Sequence, residues 1–197
     1  VAELILASAS PRRVQLLRQA GKSFEIEPSK VDETLDPRWT ARQAAEALAE
    51  RKAQEIAARH RGTASLVVGA DTLVVLGEGP QEQLLGKPSD AVEARTMLET
   101  LSATRHRVIT GVCVVRCLDG ALRTAHEQTW VAMRAITTAE VAAYVDSDEW
   151  SGKAGGYAIQ ENADAFVVGL EGGGFDNVVG LPVALTLGLL EALDPKP

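Results

Sequence analysis

Cysteine, histidine and aromatic side chains are scarce here: two cysteines, three histidines and 4% aromatics in 197 residues. His60, His106 and His126 are scattered without zinc-ligand spacing, and no Ser-His-Asp ordering can be built on them. Cys113 and Cys117 fall four apart in a predicted strand, so their Cα atoms would lie about 13 Å apart, too far for a disulfide. They read as buried free thiols, as in a reducing compartment. No run is apolar enough to span a membrane, and the first residues lack the pattern of a secretory leader, so the expected location is the cytoplasm. The net charge of −7 argues against a general nucleic-acid binder, which would carry a broad basic face. No Gly-x-x-x-x-Gly-Lys-Ser/Thr sequence is present, so the phosphate loop of the nucleotide motors is absent too. Internal repeats, low-complexity stretches and linkers are also missing.

What is present is ordinary for a globular protein with a substantial core: 46% hydrophobic and 24% charged residues. One domain over 1–197 is the leading expectation, with two lobes around a cleft as its elaboration. The rest is organised around Ser8-Ala9-Ser10-Pro11-Arg12-Arg13. An apolar strand, 4–7, precedes it and a helix, 10–21, follows, with Ser10 as N-cap, Pro11 in the first helical position and Gly21 at the C-cap. Arg12 and Arg13 then sit at the positive end of the helix dipole, where each cation is disfavoured by roughly 0.3–1 kcal/mol. A multiply charged anion would reverse that cost, because free N–H groups and guanidinium forks would converge on it. A phosphate-binding turn and an ordinary capped helix with solvated arginines both stand.

Residues 23–28 alternate Phe24 and Ile26 with charged neighbours, a strand with one wet face. The acidic stretch 29–39, with Val31-Asp32-Glu33, is a loop. A long helix follows over 40–60. On a 3.6 period Ala41, Ala45, Leu48, Ala49 and Ile56 share one face, with Lys52 in its middle. That lysine must snorkel, pair, or reach into a polar cavity. Leu66–Leu76 is a strand run with Asp71 embedded in it, a costly place for an unpaired carboxylate. It reads as a functional carboxylate at a break in a central strand, or as a bulge residue bonded to backbone. Next come a hairpin turn at 77–83, the bend Gly86-Lys87-Pro88, and a helix capped by Ser89 with Ala94, Met97, Leu98 and Leu101 inward. A hairpin of strands 107–118 and 121–136 turns at Asp119-Gly120. Thr138 caps a helix to about Asp146. The glycines of Trp150–Tyr157 permit close backbone approach, and Lys153 there is either a further cation or part of a surface loop. Gln160, a donor and an acceptor, could read a base edge or simply face solvent. A strand at 165–170, a Gly-rich turn at 171–177 and a final apolar helix complete the chain. Alternating helices and strands predict an α/β fold: an elongated mixed β-sheet flanked by helices with a central cleft.

Cations at Arg12, Arg13, Lys52, Lys87 and Lys153 suit a polyphosphate. Glu33 and Asp71 suit a divalent metal or a general base, and oxygen ligands with phosphate favour Mg2+ or Mn2+. Hydrolysis of a metal–nucleotide combines these parts: water oriented by a carboxylate attacks a phosphorus whose charge is held by cations.

Taken together and in order, these segments resemble the Maf (septum-formation) family of nucleoside triphosphate pyrophosphatases. The resemblance rests on 8–13, Val31-Asp32-Glu33, Glu50-Arg51-Lys52-Ala53, Gly69-Ala70-Asp71-Thr72, Gly86-Lys87-Pro88, Thr110-Gly111, Lys153-Ala154-Gly155-Gly156-Tyr157 through Gln160, and Asn177-Val178-Val179-Gly180-Leu181-Pro182. It implies a fold similar to the inosine triphosphatases and conversion of a nucleoside triphosphate to monophosphate and diphosphate with a divalent cation. It implies Asp71 as proton acceptor. Ser8, Arg12, Arg13, Lys52, Thr72, Lys87, Lys153 and Gln160 would bind substrate. Arg12, Thr72 and Gln160 look like the branch acting on dTTP and UTP, where the branch preferring 7-methyl-GTP carries other residues. Two departures bear on base choice: Glu161 stands where glycine is usual, and the turn 172–176 is one residue longer than the common pattern. The expected partner is the nucleotide, not a nucleic-acid polymer or a membrane, with a second copy of the chain as a further candidate. The rival reading is a nucleotide-sensing regulator of cell division with little turnover.

Overall fold

Val67, Val68, Val74 and Val75, all buried, belong to the longest apolar run, and that run is the strand on which the sheet is assembled. In the computed structural model, which describes residues 3–160 and 162–194, the strands are β1 (Leu4–Leu6), β2 (Glu25–Ile26), β3 (Leu66–Leu76), β4 (Gln83–Leu85), β5 (Arg105–Arg116), β6 (Leu122–Met133) and β7 (Val167–Glu171). The helices are α1 (Pro11–Gln19), α2 (Ala41–Arg59), α3 (Ala91–Leu101), α4 (Thr138–Asp146), α5 (Phe175–Val179) and α6 (Val183–Leu193). The seven strands form one mixed sheet in the order β2-β1-β3-β5-β6-β7, with β4 also paired to β3. β1 runs parallel to β2 and β3, in register Leu4 with Leu66 and Leu6 with Val68. β4 is antiparallel to β3, and β7 to β6. Among the described residues no helix is long and apolar enough to cross a membrane.

Local chemistry explains why the helices start where they do. Ser10 accepts from the Arg13 amide at 3.5 Å, and Pro11 opens α1. α2 carries a capping box in which Thr40 and Gln43 satisfy each other's backbone, and its 19 residues contain neither glycine nor proline. Three caps fall one residue from the predicted ones. Ala20, not Gly21, is the C-cap of α1, and Gly21 follows it at φ +74°. Asp90, not Ser89, caps α3 because its carboxylate accepts from the Glu93 amide at 2.8 Å, while Ser89 donates back to Glu93. Thr137, not Thr138, caps α4 through a second capping box with Glu140.

Other expectations are corrected. β2 is only two residues long and both are exposed, so 23–28 has no dry face: Phe24 and Ile26 are not anchored in a core. β3 runs unbroken through Asp71, which sits in neither a strand break nor a turn. Cys117 lies in the turn after β5, beyond the strand that holds Cys113; both thiols are free and buried, and burial pushes Cys113 up to about 11. Residues Asn162–Phe166 form a short 3-10 turn and the strand begins only at Val167. The Gly-rich turn ends in the short helix α5.

Within the described residues the chain divides into two compact units. The first takes the chain up to Asp71, Thr110–Glu127 and the chain from Gly180; the second takes Thr72–Ile109 and Gln128–Val179. A core of the first unit gathers Ile5, Ala7, Ala49, Ala53, Ile56, Val67, Cys113 and Val115. The second gathers Val74, Leu98, Leu101, Met133, Tyr144, Tyr157 and Phe166, with Trp150 packed against them.

Candidate active site

Side chains alternate across a strand, so Gly69 and Asp71 share one face of β3. Gly69 lies against the backbone of α2: a Cβ there would fall 2.3 Å from the Ala49 carbonyl oxygen and 2.7 Å from the Ala53 nitrogen. Gly111 of β5 meets the same helix one turn earlier, where a Cβ would fall 2.3 Å from the Ala45 oxygen. The helix therefore lies closer to the sheet than any side chain would allow. One consequence is the reach of Lys52. Its stem descends from α2 between these contacts, and Nζ meets Asp71 Oδ1 at 2.5 Å. Both residues are buried, 7% and 6% exposed, so the snorkelling alternative for Lys52 is ruled out. Glu33, from the loop before α2, meets the same Nζ at 2.7 Å while half of its side chain stays in solvent. One ammonium thus joins two carboxylates. Burying Asp71 alone would cost several kcal/mol; its cation offsets that cost.

The turn after β1 is built from the same unit. Ser8 is buried, and its Oγ accepts from the Ser10 amide and from Arg13 Nη1, each at 3.2 Å. Arg13 Nε donates to the Gly180 carbonyl at 2.8 Å. Burial holds the Arg13 guanidinium below its ordinary pKa; the negative charges of Asp71 and Glu33 oppose this and the charge of Arg12 adds to it. Arg12, half-buried, makes no such tie to the chain's own backbone among the hydrogen bonds described. Ser8, Arg12, Arg13, Glu33, Lys52 and Asp71 are therefore brought together in the first unit.

The remaining predicted positions belong to the second unit. Thr72 follows Asp71 in β3 and is half-buried. Lys87 is exposed in the bend between β4 and α3. That bend is joined to the glycine-rich turn by a bond from the Gly155 amide to the Gly86 carbonyl, 2.9 Å. Lys153, expected as a cation or as part of a surface loop, is buried at 7% exposure. Gly155 has φ +69°, and a Cβ on it would fall 3.0 Å from Val74, so only glycine fits this turn. Tyr157 closes the turn: its hydroxyl lies 2.7 Å from Nε2 of the fully buried His106. Burial lowers His106 to about 4 and raises Tyr157, so both stay neutral near pH 7. Gln160 is exposed, and the Glu161 departure lies outside the described residues.

Three contributors were given no role of their own by the sequence, although Gly69 and Gly111 stand in the motifs quoted above. Gly69 and Gly111 were legible as glycines inside strands, the usual mark of close backbone approach. His106 carried no local signal, since its partner lies 51 residues away.

Glu33 and Asp71 supply hard oxygens directed at one positive centre, which is donor chemistry suited to Mg2+ or Mn2+. Among the described residues no group of three or more His, Cys, Asp or Glu side chains is placed to hold an ion. An ion at the Glu33–Asp71 pair would therefore take its remaining ligands from substrate and water.

Fold and site together define an α/β protein that gathers two carboxylates, a buried lysine and an arginine turn in one place. The chain belongs to the Maf-like protein family, whose pattern it matches over residues 3–193. It is similar to the dTTP/UTP pyrophosphatase of Pelotomaculum thermopropionicum, 44% identical over 189 residues that cover 96% of this chain and 95% of that protein. The dTTP/UTP pyrophosphatase of Rhodospirillum rubrum is 45% identical over 195 residues, 98% of this chain and 89% of that protein. That of Desulforamulus reducens is 44% identical over 181 residues, 92% and 91% of the two chains.

Proposed function

We propose that this chain is a nucleoside triphosphate pyrophosphatase that converts dTTP or UTP and water to the nucleoside monophosphate and diphosphate. The observation that carries this reading is the buried Asp71–Lys52 pair, 2.5 Å apart, with Glu33 on the same ammonium and the arginine turn in the same unit. The similarity to three dTTP/UTP pyrophosphatases along most of the chain supports the choice of substrate.

In the proposed reaction Asp71 accepts a proton from the attacking water. Lys52 holds the Asp71 carboxylate in place and adds positive charge beside it. Arg12 presents its guanidinium to the phosphates at the start of α1, where the free amides of the first turn also point. Arg13 keeps the turn's shape through Ser8 and Gly180 and contributes charge from behind. Thr72, Lys87, Lys153 and Gln160 keep the substrate-binding roles implied by the resemblance. A divalent cation held by Glu33 and Asp71 would neutralise charge on the phosphate oxygens. The cytoplasm is the proposed location, and the molecule is proposed to act on free nucleotides, as a single Maf-like domain that can pair with a second copy of itself.

Asp71→Asn tests the mechanism. Asparagine keeps the shape and cannot take the proton, so the variant should fold, bind dTTP, and release diphosphate about 10²- to 10⁴-fold more slowly. Diphosphate release from dTTP and UTP with magnesium reads it. Near wild-type release by the variant would overturn the assignment of Asp71.

A further inference from the structure

We propose that Arg51 is a positioning residue that grips the backbone on both sides of Glu33 and thereby holds the Glu33 carboxylate on the Lys52–Asp71 pair. The proposal rests on the reaction assigned above.

Arg51 and Lys52 are successive residues of α2, so their side chains diverge by about 100° around the helix. Lys52 turns inward to Asp71. Arg51 turns toward the loop that carries Glu33. Its Nη1 donates to the Thr34 carbonyl at 2.9 Å and to the Asp32 carbonyl at 3.4 Å, the residues immediately before and after Glu33. The guanidinium carbon lies 5.0 Å from the Trp39 ring centroid, and that stacking fixes the fork's plane. The tripeptide is also closed internally: Asp32 Oδ1 accepts from the Thr34 amide at 2.9 Å and from its hydroxyl at 2.7 Å. Those two bonds, with a smaller contribution from the Arg51 charge, hold the Asp32 carboxyl below its ordinary pKa.

Apolar packing does not provide this hold. Asp32, Glu33 and Thr34 are all exposed, and Val31 and Leu35 only partly buried. The loop, together with Arg51, Gln54 and Glu55 of α2, lines an open recess of about 940 Å³. A half-exposed carboxylate on such a loop would sample many positions, yet Glu33 sits 2.7 Å from Lys52 Nζ. Two carbonyls tied to the helical turn that also carries Lys52 account for this. Glu33 and Lys52 are then referenced to one rigid element, and their separation does not depend on the rest of the loop.

Loss of the grip should displace Glu33 without unfolding α2. Displacement of a reacting group by about an ångström costs on the order of 100-fold in rate. Arg51→Ala should therefore lower kcat for dTTP about 10- to 100-fold, change KM less than threefold, and leave the melting temperature within a few degrees. Guanidinium chloride at tens of millimolar should restore part of the rate, and methylammonium should not. Glu33→Gln should lower the rate on its own, and adding Arg51→Ala to it should lower the rate no further, because Arg51 acts through Glu33. Full multiplication of the two losses, or wild-type kcat in Arg51→Ala, would overturn the proposal. Hydrogen exchange reads the same grip without any reaction: in Arg51→Ala the amides of 32–34 should exchange at least tenfold faster while those of α2 stay protected. Unchanged exchange at 32–34 would overturn it even if the chain hydrolysed no nucleotide; a chain inactive on every nucleotide with accelerated exchange would overturn only the reaction.

Discussion

The two compact units differ in what packs their cores. The first sets Ala7, Ala49, Ala53, Cys113 and Cys117 among Ile5, Ile56 and its valines, and lets backbone meet backbone at Gly69 and Gly111. The second brings aromatic rings into its core. Tyr144 and Phe166 meet edge to face with centroids 5.7 Å apart, as do His106 and Tyr157 at 5.6 Å. Their polar cargo differs as well. The first unit buries the Lys52–Asp71 pair; the second buries the neutral His106–Tyr157 pair and, elsewhere, Arg107, which meets Glu82 at 2.7 Å. A salt bridge repays its desolvation only with good geometry, and close backbone contact fixes the Cα positions from which Lys52 and Asp71 reach. The neutral His106–Tyr157 pair tolerates a core in which side chains, with their rotamers, set the spacing.

The largest expected effect breaks the charged pair. Lys52→Met keeps most of the stem's volume and leaves Asp71 buried without its cation, a loss of about 3–5 kcal/mol in urea unfolding together with loss of diphosphate release. Removing both charges in Lys52→Met/Asp71→Asn should recover part of the stability and none of the activity. Equal stability of the single and double variants would mean that an unpaired Asp71 is not the source of the loss.

A smaller effect comes from the backbone contact. Gly69→Ala places a Cβ 2.3 Å from a main-chain oxygen that cannot move aside, costing about 1–3 kcal/mol and lowering turnover as Lys52 shifts. Gly156→Ala in the second unit meets nothing nearer than 3.6 Å, and only its φ of +72° opposes the substitution. It should cost about 1 kcal/mol and leave turnover near wild type. Thermal unfolding of the two variants side by side sharpens or abolishes the contrast.

A last effect, absent at neutral pH, appears only in acid. The unfolded chain protonates His106 below about 6.5, while the folded chain keeps it neutral down to about 4. Folding is therefore disfavoured as pH falls through that interval, by about 1.4 kcal/mol at pH 5.5. Stability measured at pH 7.5 and 5.5 should fall by that much more in the wild type than in His106→Gln. Identical slopes would show that the second unit's polar pair carries no acid sensitivity.

Much of this design is legible in one dimension because its causes are local. The capping box at Thr40–Gln43 and the unbroken helix formers after it fix α2 to within a residue, and Lys52 stands out as a charge on an apolar face. β3 is legible from its run of valines, and Asp71 from its cost there. The misreadings arise where a partner distant in sequence decides. Alternation at Phe24 and Ile26 suggests a buried face, yet among the described residues β2 is a two-residue edge strand paired with β1, which leaves Ile26 exposed and Phe24 partly so. The Arg134 amide bonds to the Phe166 carbonyl at 2.9 Å, and a 3-10 turn rather than a strand leads into β7 at that point. Arg51 looks like any exposed helix arginine until the loop 17 to 19 residues away folds onto it.

The bond from Arg13 to the Gly180 carbonyl spans 167 positions of sequence. A ribosome adding roughly 5–20 residues per second needs about 10–30 s to travel from one to the other. During that interval the nascent chain holds its complete β1–α1 turn, and later α2 with Lys52 and Asp71, but lacks the carbonyl that seats Arg13. The arginine turn therefore takes its final form only after Gly180 has been added. A chain cut short before position 180 would carry every acidic residue of the site with its arginine lock still open.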